Sequence, residues 1–71
     1  MEYSVVLHEA EEGGYWAEVP ALSGCFSQGE TVEQAMRNIR SAIVSHLAAL
    51  TEDHRPIPQE GGILFARVAV A

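Results

Sequence analysis

The single cysteine, Cys25, is the strongest potential nucleophile, and it lies within residues 19–31, VPALSGCFSQGET. A cysteine reacts as its thiolate, which forms when a nearby cation, a histidine base or a helix N-terminus lowers the thiol pKa. A helix is predicted to begin at Thr31, but Glu30 and Glu33 add negative charge there, which opposes thiolate formation. No histidine lies beside Cys25 in the sequence. Because free cysteines are usually small, buried and unreactive, we interpret Cys25 as a core residue.

Carboxylates and histidines are the other groups that could carry chemistry. A metal-dependent hydrolase needs two or three carboxylates around one cation, yet only Glu18 and Glu33 fall near predicted central elements. The sequence contains no CxxC, HxxxH, GxGxxG or Walker pattern. The sequence therefore predicts no catalytic residue, no metal site and no cofactor, and an RNA hydrolase using Glu18 and Glu33 is the third of three hypotheses. The histidines are widely separated: His8, His46 and His54.

Charge and size narrow the possible partners. Ten acidic residues and four arginines give a net charge of −6, so direct binding to nucleic acid is disfavoured. An acidic surface suits a basic protein partner, although the charge is equally compatible with a role in solubility alone. A chain of 71 residues buries only about 60% of its unfolded surface and has no second cysteine for a disulfide. We therefore expect a single domain, residues 1–71, supported by homo-oligomer formation as a dimer or tetramer.

The first elements are predicted to form a β-hairpin. Residues 3–9 and 15–19 alternate between apolar and polar side chains, which is typical of strands. Gly13 and Gly14 supply the turn between them. The alternation predicts that the face of the sheet opposite Tyr15, Ala17 and Val19 carries these residues: Ser4, Val6, His8, Trp16 and Glu18.

Residues 20–31 are predicted to connect this hairpin to a helix. Pro20 ends the second strand, and residues 22–28 form a third strand in which Gly24 allows a bend or a close approach of backbones. Gly29 allows the turn into the helix, and Thr31 forms the N-cap, with Gln34 completing a capping box. The helix carries one apolar stripe, with these residues at steps of three and four: Val32, Ala35, Met36, Ile39, Ile43, Leu47 and Leu50.

The last predicted element is a strand over residues 63–70, which are apolar and rich in β-branched side chains. Pro56 and Pro58 end helical structure before it, and Gly61-Gly62 makes a turn. The predicted order is β-β-β-α-β, an α+β fold in which one amphipathic helix covers one face of a small mixed sheet.

The ordered set of residues from Gly14 to Ile43 closely resembles the N-terminal domain of HicB-family antitoxins. The resemblance rests on a hydrophobic-Pro-x-Leu-x-Gly-Cys segment, a Gln-Gly-Glu-Thr segment and a Glu-x-Ala helix start, with Ser23 at a position often occupied by proline. It extends to Pro58, about four fifths of the chain, and is carried by these residues: Val19, Pro20, Leu22, Gly24, Cys25, Gln28, Gly29, Glu30, Thr31 and Ala35.

The resemblance implies a partial RNase H-like fold without RNase H catalysis. It also implies a partner, since HicB proteins neutralise HicA, a small basic mRNA-cleaving toxin, by covering its active surface. Many HicB proteins carry a C-terminal DNA-binding module, which is not expected here because the sequence ends at Ala71 after the last predicted strand. A homo-oligomeric HicB-like domain with no toxin partner is the second hypothesis.

The expected toxin-binding surface combines aromatic anchors with acidic residues. It comprises Glu11, Glu12, Trp16, Glu18 and Phe26. In contrast, Pro20, Gly24, Cys25, Gly29 and Thr31 are expected to build the fold. The N-terminus has no basic region followed by an apolar run, so no signal peptide is recognised and a cytoplasmic location is expected.

Overall fold

The computed structural model describes residues 1–71 and contains a three-stranded antiparallel sheet followed by one long helix. The strands are β1 (Val6–Glu9), β2 (Tyr15–Glu18) and β3 (Phe26–Gly29), and the helix is α1 (Val32–Glu52). The strand order in the sheet is β1-β2-β3, and both pairs are antiparallel. The predicted α+β class is confirmed, whereas the sheet is antiparallel and not mixed.

The strand register separates the two faces of the sheet. Leu7, Ala17 and Ser27 lie side by side across the three strands on the face towards α1, which packs on β2 and β3. Ala17 and Ile39 from the two layers are both fully buried. The core is small, since only six residues are buried: Ala17, Val19, Leu22, Cys25, Ala35 and Ile39.

The connection from β2 to β3 is a compact turn closed by backbone hydrogen bonds. The Val19 amide donates to the Cys25 carbonyl at 3.2 Å, and the Leu22 amide donates to the Val19 carbonyl at 3.0 Å. The third strand therefore begins at Phe26, four residues later than predicted, because the preceding residues satisfy their backbone groups within the turn. Gly24 lies in this turn with a φ of 81°, and a Cβ there would meet no atom within 4 Å. Its role is therefore backbone conformation, and no close approach of backbones occurs there.

Thr31 is the N-cap of α1, and its Oγ1 accepts a hydrogen bond from the Gln34 amide at 3.0 Å. The Gln34 side chain accepts from the amide of Glu30, the residue before the cap, where a standard capping box would use the cap residue itself. One free amide of the helix start, that of Gln34, and the amide of the residue before the cap, Glu30, are thus satisfied by side chains. Glu33 in the first turn adds the negative charge that the helix dipole favours.

Gly29 is the position at which strand and helix come closest. A Cβ at Gly29 would lie 2.5 Å from the Ala35 amide nitrogen and 2.9 Å from the Gln34 carbonyl carbon. Both neighbours are backbone atoms, so no side-chain rotation could relieve the contact. Gly29 therefore allows α1 to pack directly against the end of β3. The predicted role in the turn does not require glycine, because Gly29 is the last residue of β3 and does not have a positive φ.

The predicted strand over Ile63–Val70 is wrong for this structure. Residues 55–71 form neither helix nor strand, and β1 has a hydrogen-bonded neighbour only in β2. A strand needs a backbone partner, and the chain leaves the sheet after Glu60, whose carboxylate accepts hydrogen bonds from the Ser4 backbone and side chain. Beyond that contact Leu64 is 96% exposed and Val70 is 87% exposed. Residues 63–70 thus have the apolar pattern of a strand, but no other segment of the chain pairs with them as a neighbouring strand.

Candidate protein-binding face of the sheet

The sheet face turned away from α1 carries a cluster of aromatic side chains. We define the outer face as Val6, His8, Trp16, Glu18, Phe26 and Gln28, which the register places together. The His8 ring stacks on the Trp16 ring with centroids 4.0 Å apart and planes inclined by 14°. The Phe26 and Trp16 centroids lie 6.1 Å apart at an angle of 51°. Trp16 is therefore held between two rings from the neighbouring strands.

An acidic group lies beside this cluster. The Glu18 carboxylate is 2.6 Å from His8 Nε2, and about a third of each side chain remains exposed. An exposed pair of this kind contributes only about 0–1 kcal/mol to stability. The pair links the Glu18 carboxylate to the same imidazole that stacks on Trp16. The outer face thus offers a fixed aromatic surface with an acceptor at its margin.

The structure brings together three of the five residues predicted to bind a partner. Trp16, Glu18 and Phe26 are on the outer face, where Phe26 is 57% exposed. Glu11 and Glu12 instead lie in the turn between β1 and β2, at the end of the hairpin away from Glu18. Because Glu11 and Glu18 lie at opposite ends of the hairpin, a partner must extend along the full length of the strands to contact all five residues.

His8 belongs to the outer face but was not among the predicted binding residues. Strand alternation already placed it on the same face as Trp16, and the pairing of His8 with Trp16 across β1 and β2 adds the direct contact. The position of the Gly13-Gly14 turn predicts that His8 pairs with Trp16, since the turn of a hairpin fixes which residues of its two strands lie opposite each other. The turn uses positive φ at both glycines, 98° and 77°.

The geometry of Cys25 and of the acidic residues bears on enzyme chemistry. Cys25 is 3% exposed, and burial raises the pKa of its thiol above the ordinary value of 9.0, so the thiol stays protonated near neutral pH. Glu18 is on the outer face, whereas Glu33 is on α1, which covers the opposite face. No group of three or more histidine, cysteine, aspartate or glutamate side chains is close enough to share a metal ion. In addition, α1 is not apolar enough over its length to serve as a membrane span.

Comparison with known proteins identifies the family. The model of the HicB-like antitoxins of bacterial toxin-antitoxin systems matches residues 3–66. The chain belongs to this family of HicB-like antitoxins. The resemblance found in the sequence motifs is thereby confirmed.

Individual relatives agree with this assignment. A UPF0150 protein of Synechocystis is 45% identical over 58 residues, which cover 82% of this chain and 73% of the relative. A UPF0150 protein of Thermoplasma acidophilum is 40% identical over 60 residues, covering 84% of this chain and 87% of the relative. Antitoxin HicB 1 of Photorhabdus laumondii is 33% identical over 63 residues, covering 89% of this chain but only 41% of the longer antitoxin.

A solved structure shares the fold. A HicB chain from a HicA3 and HicB3 toxin-antitoxin complex superposes with a TM-score of 0.71 at 26% sequence identity. The match covers 86% of this chain and 70% of that chain. The three strands and the helix described above are therefore the architecture of a HicB chain.

Proposed function

We propose that this HicB-like domain is a non-catalytic antitoxin that binds and neutralises a small basic HicA-type mRNA-cleaving toxin. The observation that carries the proposal is the likeness to a HicB chain from a toxin-antitoxin complex, together with membership of the HicB-like family over residues 3–66. Neutralisation then consists of covering the toxin, and it requires no chemistry from the antitoxin itself.

The outer face supplies the properties that such binding needs. Trp and other aromatic side chains anchor protein interfaces because they bury a large area with few rotatable bonds. Trp16 is already fixed by His8 and Phe26, so little side-chain entropy is lost when a partner covers it. Rigid placement of the anchor favours a high affinity for a matching surface.

Charge supports the same choice of partner. The domain has a net charge of −6, and Glu18 lies within the outer face while Glu11 and Glu12 lie at one end of it. A basic toxin would be attracted to this surface, and opposite charges accelerate the encounter of two proteins. An acidic surface would also repel the mRNA substrate, which helps keep it away from the covered toxin.

The proposal is tested by co-purification with the product of the adjacent gene and by measuring affinity for variants. Trp16→Ala is expected to weaken binding by at least about 30-fold, the loss that corresponds to a hot-spot side chain. Val32→Ala removes an apolar side chain that is 38% exposed on α1, away from the outer face, and is expected to change affinity by less than about threefold. Equal losses for the two variants would show that the effect is not local to the outer face.

A second candidate is a homo-oligomeric HicB-like interaction domain without a toxin. The observation favouring it is the exposure of large apolar residues after Glu60, including Phe65 at 73%. The two candidates differ in what the adjacent gene encodes. If its product is not a small basic protein, or does not bind the purified domain, the antitoxin proposal fails and the second candidate is preferred.

A further inference from the structure

An apolar groove lies between the N-terminal residues and α1, on the side of the helix that the sheet leaves uncovered. Tyr3 and Val5 form one wall, and Ile43 and Leu47 form part of the other. Eight of its ten lining residues are hydrophobic and the other two are Arg37 and Arg40, while Val44 at its rim is 62% exposed. The groove exists because α1 packs on β2 and β3 and leaves the β1 side open.

The C-terminal segment of the same chain is apolar and is not packed against an apolar surface. Residues 63–70, ILFARVAV, contain one charged residue, Arg67, and from Leu64 onwards every residue is exposed. In extended backbone the even-numbered side chains share one face, and all of them are apolar: Leu64, Ala66, Val68 and Val70. Such a strip matches an apolar groove in chemistry.

The exposed surface of the chain is larger than that of a typical compact monomer of this mass. The structure exposes 5793 Å², whereas a compact 7.7 kDa protein exposes about 4,300 Å². The radius of gyration is 14.0 Å, compared with about 11 Å for a compact domain of this length. Removing an excess of about 1,500 Å² from each of two chains would bury about 3,000 Å², which is in the range of obligate homodimers.

The segment is not packed on the body of its own chain, since every residue from Leu64 onwards is exposed. The longest dimension is 47 Å, yet α1, the longest element, accounts for only about 32 Å of length. The Glu60 carboxylate accepts hydrogen bonds from Ser4, and the next two residues are Gly61 and Gly62, the residue type with the widest range of backbone conformations. This pair of glycines is therefore a hinge at which the segment can leave its own chain, the geometry from which segment exchange arises.

We propose that residues 63–70 of each chain lie in the apolar groove of a second copy, so that two chains exchange these segments across a two-fold axis. The apolar strip of one copy covers Tyr3, Val5 and Val44 of the other, and the exchange is reciprocal. This interface is separate from the outer face, because the groove is on the helix side of the sheet. Dimer formation therefore leaves Trp16 free to bind a partner, and the inference does not depend on the antitoxin proposal.

Sedimentation velocity of the full chain over a range of concentrations tests the proposal with paired charge substitutions. The wild-type chain is expected to be a dimer at micromolar concentration. Val44→Lys in the groove and Val68→Lys in the segment are each expected to weaken the dimer by on the order of 100-fold, because each places a positive charge among apolar side chains and beside Arg37 and Arg40. A wild-type monomer at tens of micromolar would overturn the proposal, as would a dimer unaffected by either variant.

Neighbouring positions serve as matched controls. Ser45→Lys adds the same charge one residue along α1, and Ala69→Lys adds it on the other face of the segment, which already carries Arg67. Both are expected to leave the dimer within about threefold of the wild-type affinity. Weakening by Ser45→Lys as large as that by Val44→Lys would contradict the assignment to the groove.

A crosslink distinguishes exchange from a segment folded onto its own chain. Chains carrying only Val44→Cys are mixed with chains carrying only Val68→Cys and then oxidised, with the buried Cys25 left in place. A disulfide joining the two different chains is expected. A chain carrying both substitutions is oxidised in parallel. If a disulfide forms within that chain and none joins the two singly substituted chains, the segment occupies its own groove and the exchange proposal is wrong.

Discussion

Substitution of Gly29 by alanine is expected to separate the helix from the sheet. The added Cβ would lie 2.5 Å from the Ala35 nitrogen and 3.0 Å from the Ala35 Cα, where ordinary contacts begin near 3.4 Å. Because both contacts are to backbone, α1 or β3 must shift by several tenths of an ångström. The displaced segment includes the buried Ala35, whose carbonyl accepts a hydrogen bond from Ser27 Oγ at 3.0 Å.

The magnitude follows from three contributions. Forcing an extra methyl into a packed contact costs about 1–3 kcal/mol, and loss of the Ser27–Ala35 hydrogen bond costs about 1 kcal/mol more. The lower entropy of the unfolded alanine chain offsets about 0.4–1 kcal/mol. We expect a net loss of about 1–4 kcal/mol in the free energy of unfolding, with a central value near 2 kcal/mol. This loss is a large part of the roughly 4–10 kcal/mol expected for a chain of this length.

Urea unfolding followed by far-ultraviolet circular dichroism measures this change, and thermal unfolding should show a midpoint lower by roughly 10–20 °C. Gly61→Ala is the matched control, because a Cβ at Gly61 meets no atom within 4 Å. It should alter stability by less than about 0.5 kcal/mol at the same protein concentration. If Gly29→Ala costs no more than Gly61→Ala, the close approach of β3 and α1 is not what makes glycine necessary.

Two further predictions concern the helix end and the thiol. His54 has a φ of 56°, and its amide donates to the Thr51 carbonyl at 3.1 Å in a Schellman-type cap. Glycine adopts this φ without strain, so His54→Gly should raise the free energy of unfolding in urea by about 0.5–1 kcal/mol. Asp53→Gly is the control and should give no such gain, because Asp53 has a φ of −84°. Burial raises the pKa of the Cys25 thiol, so as pH rises the thiol ionises at a lower pH in the unfolded chain than in the folded one. The contribution of Cys25 to the free energy of unfolding is therefore fully present below the ordinary pKa of 9.0 and is lost as pH rises above it. The free energy of unfolding should therefore fall more between pH 8 and pH 10 for the wild-type chain than for Cys25→Ala, and parallel pH profiles for the two proteins would contradict the burial argument.

Local sequence signals were sufficient where one residue acts on its immediate neighbours. Thr31 was predicted as the N-cap because its hydroxyl can reach an amide three residues ahead, and the structure shows that bond. The Gly13-Gly14 turn and the alternation around Trp16 likewise predicted the hairpin and its two faces. These features depend on backbone conformation and strand periodicity, both of which the sequence displays directly.

Features that depend on distant parts of the chain were less accessible. Glu11 and Glu18 were grouped because both are acidic, but their separation along the hairpin became visible only with the strand register. The role of Gly29 in packing against Ala35 also needed the relative position of two elements. The contact between His8 and Trp16 joins residues eight positions apart and follows from pairing across strands.

The sequence by itself determined the α+β class, the single helix with its cap, the acidic charge and the HicB-like family, because each is a property of residue order or composition. Only the tertiary structure decided that residues 63–70 lack a strand partner, although their pattern of side chains is that of a buried strand. The physical reason is that a strand forms only with hydrogen bonds to another backbone segment. The sequence pattern predicts a strand, but it does not identify the segment or the chain that pairs with it.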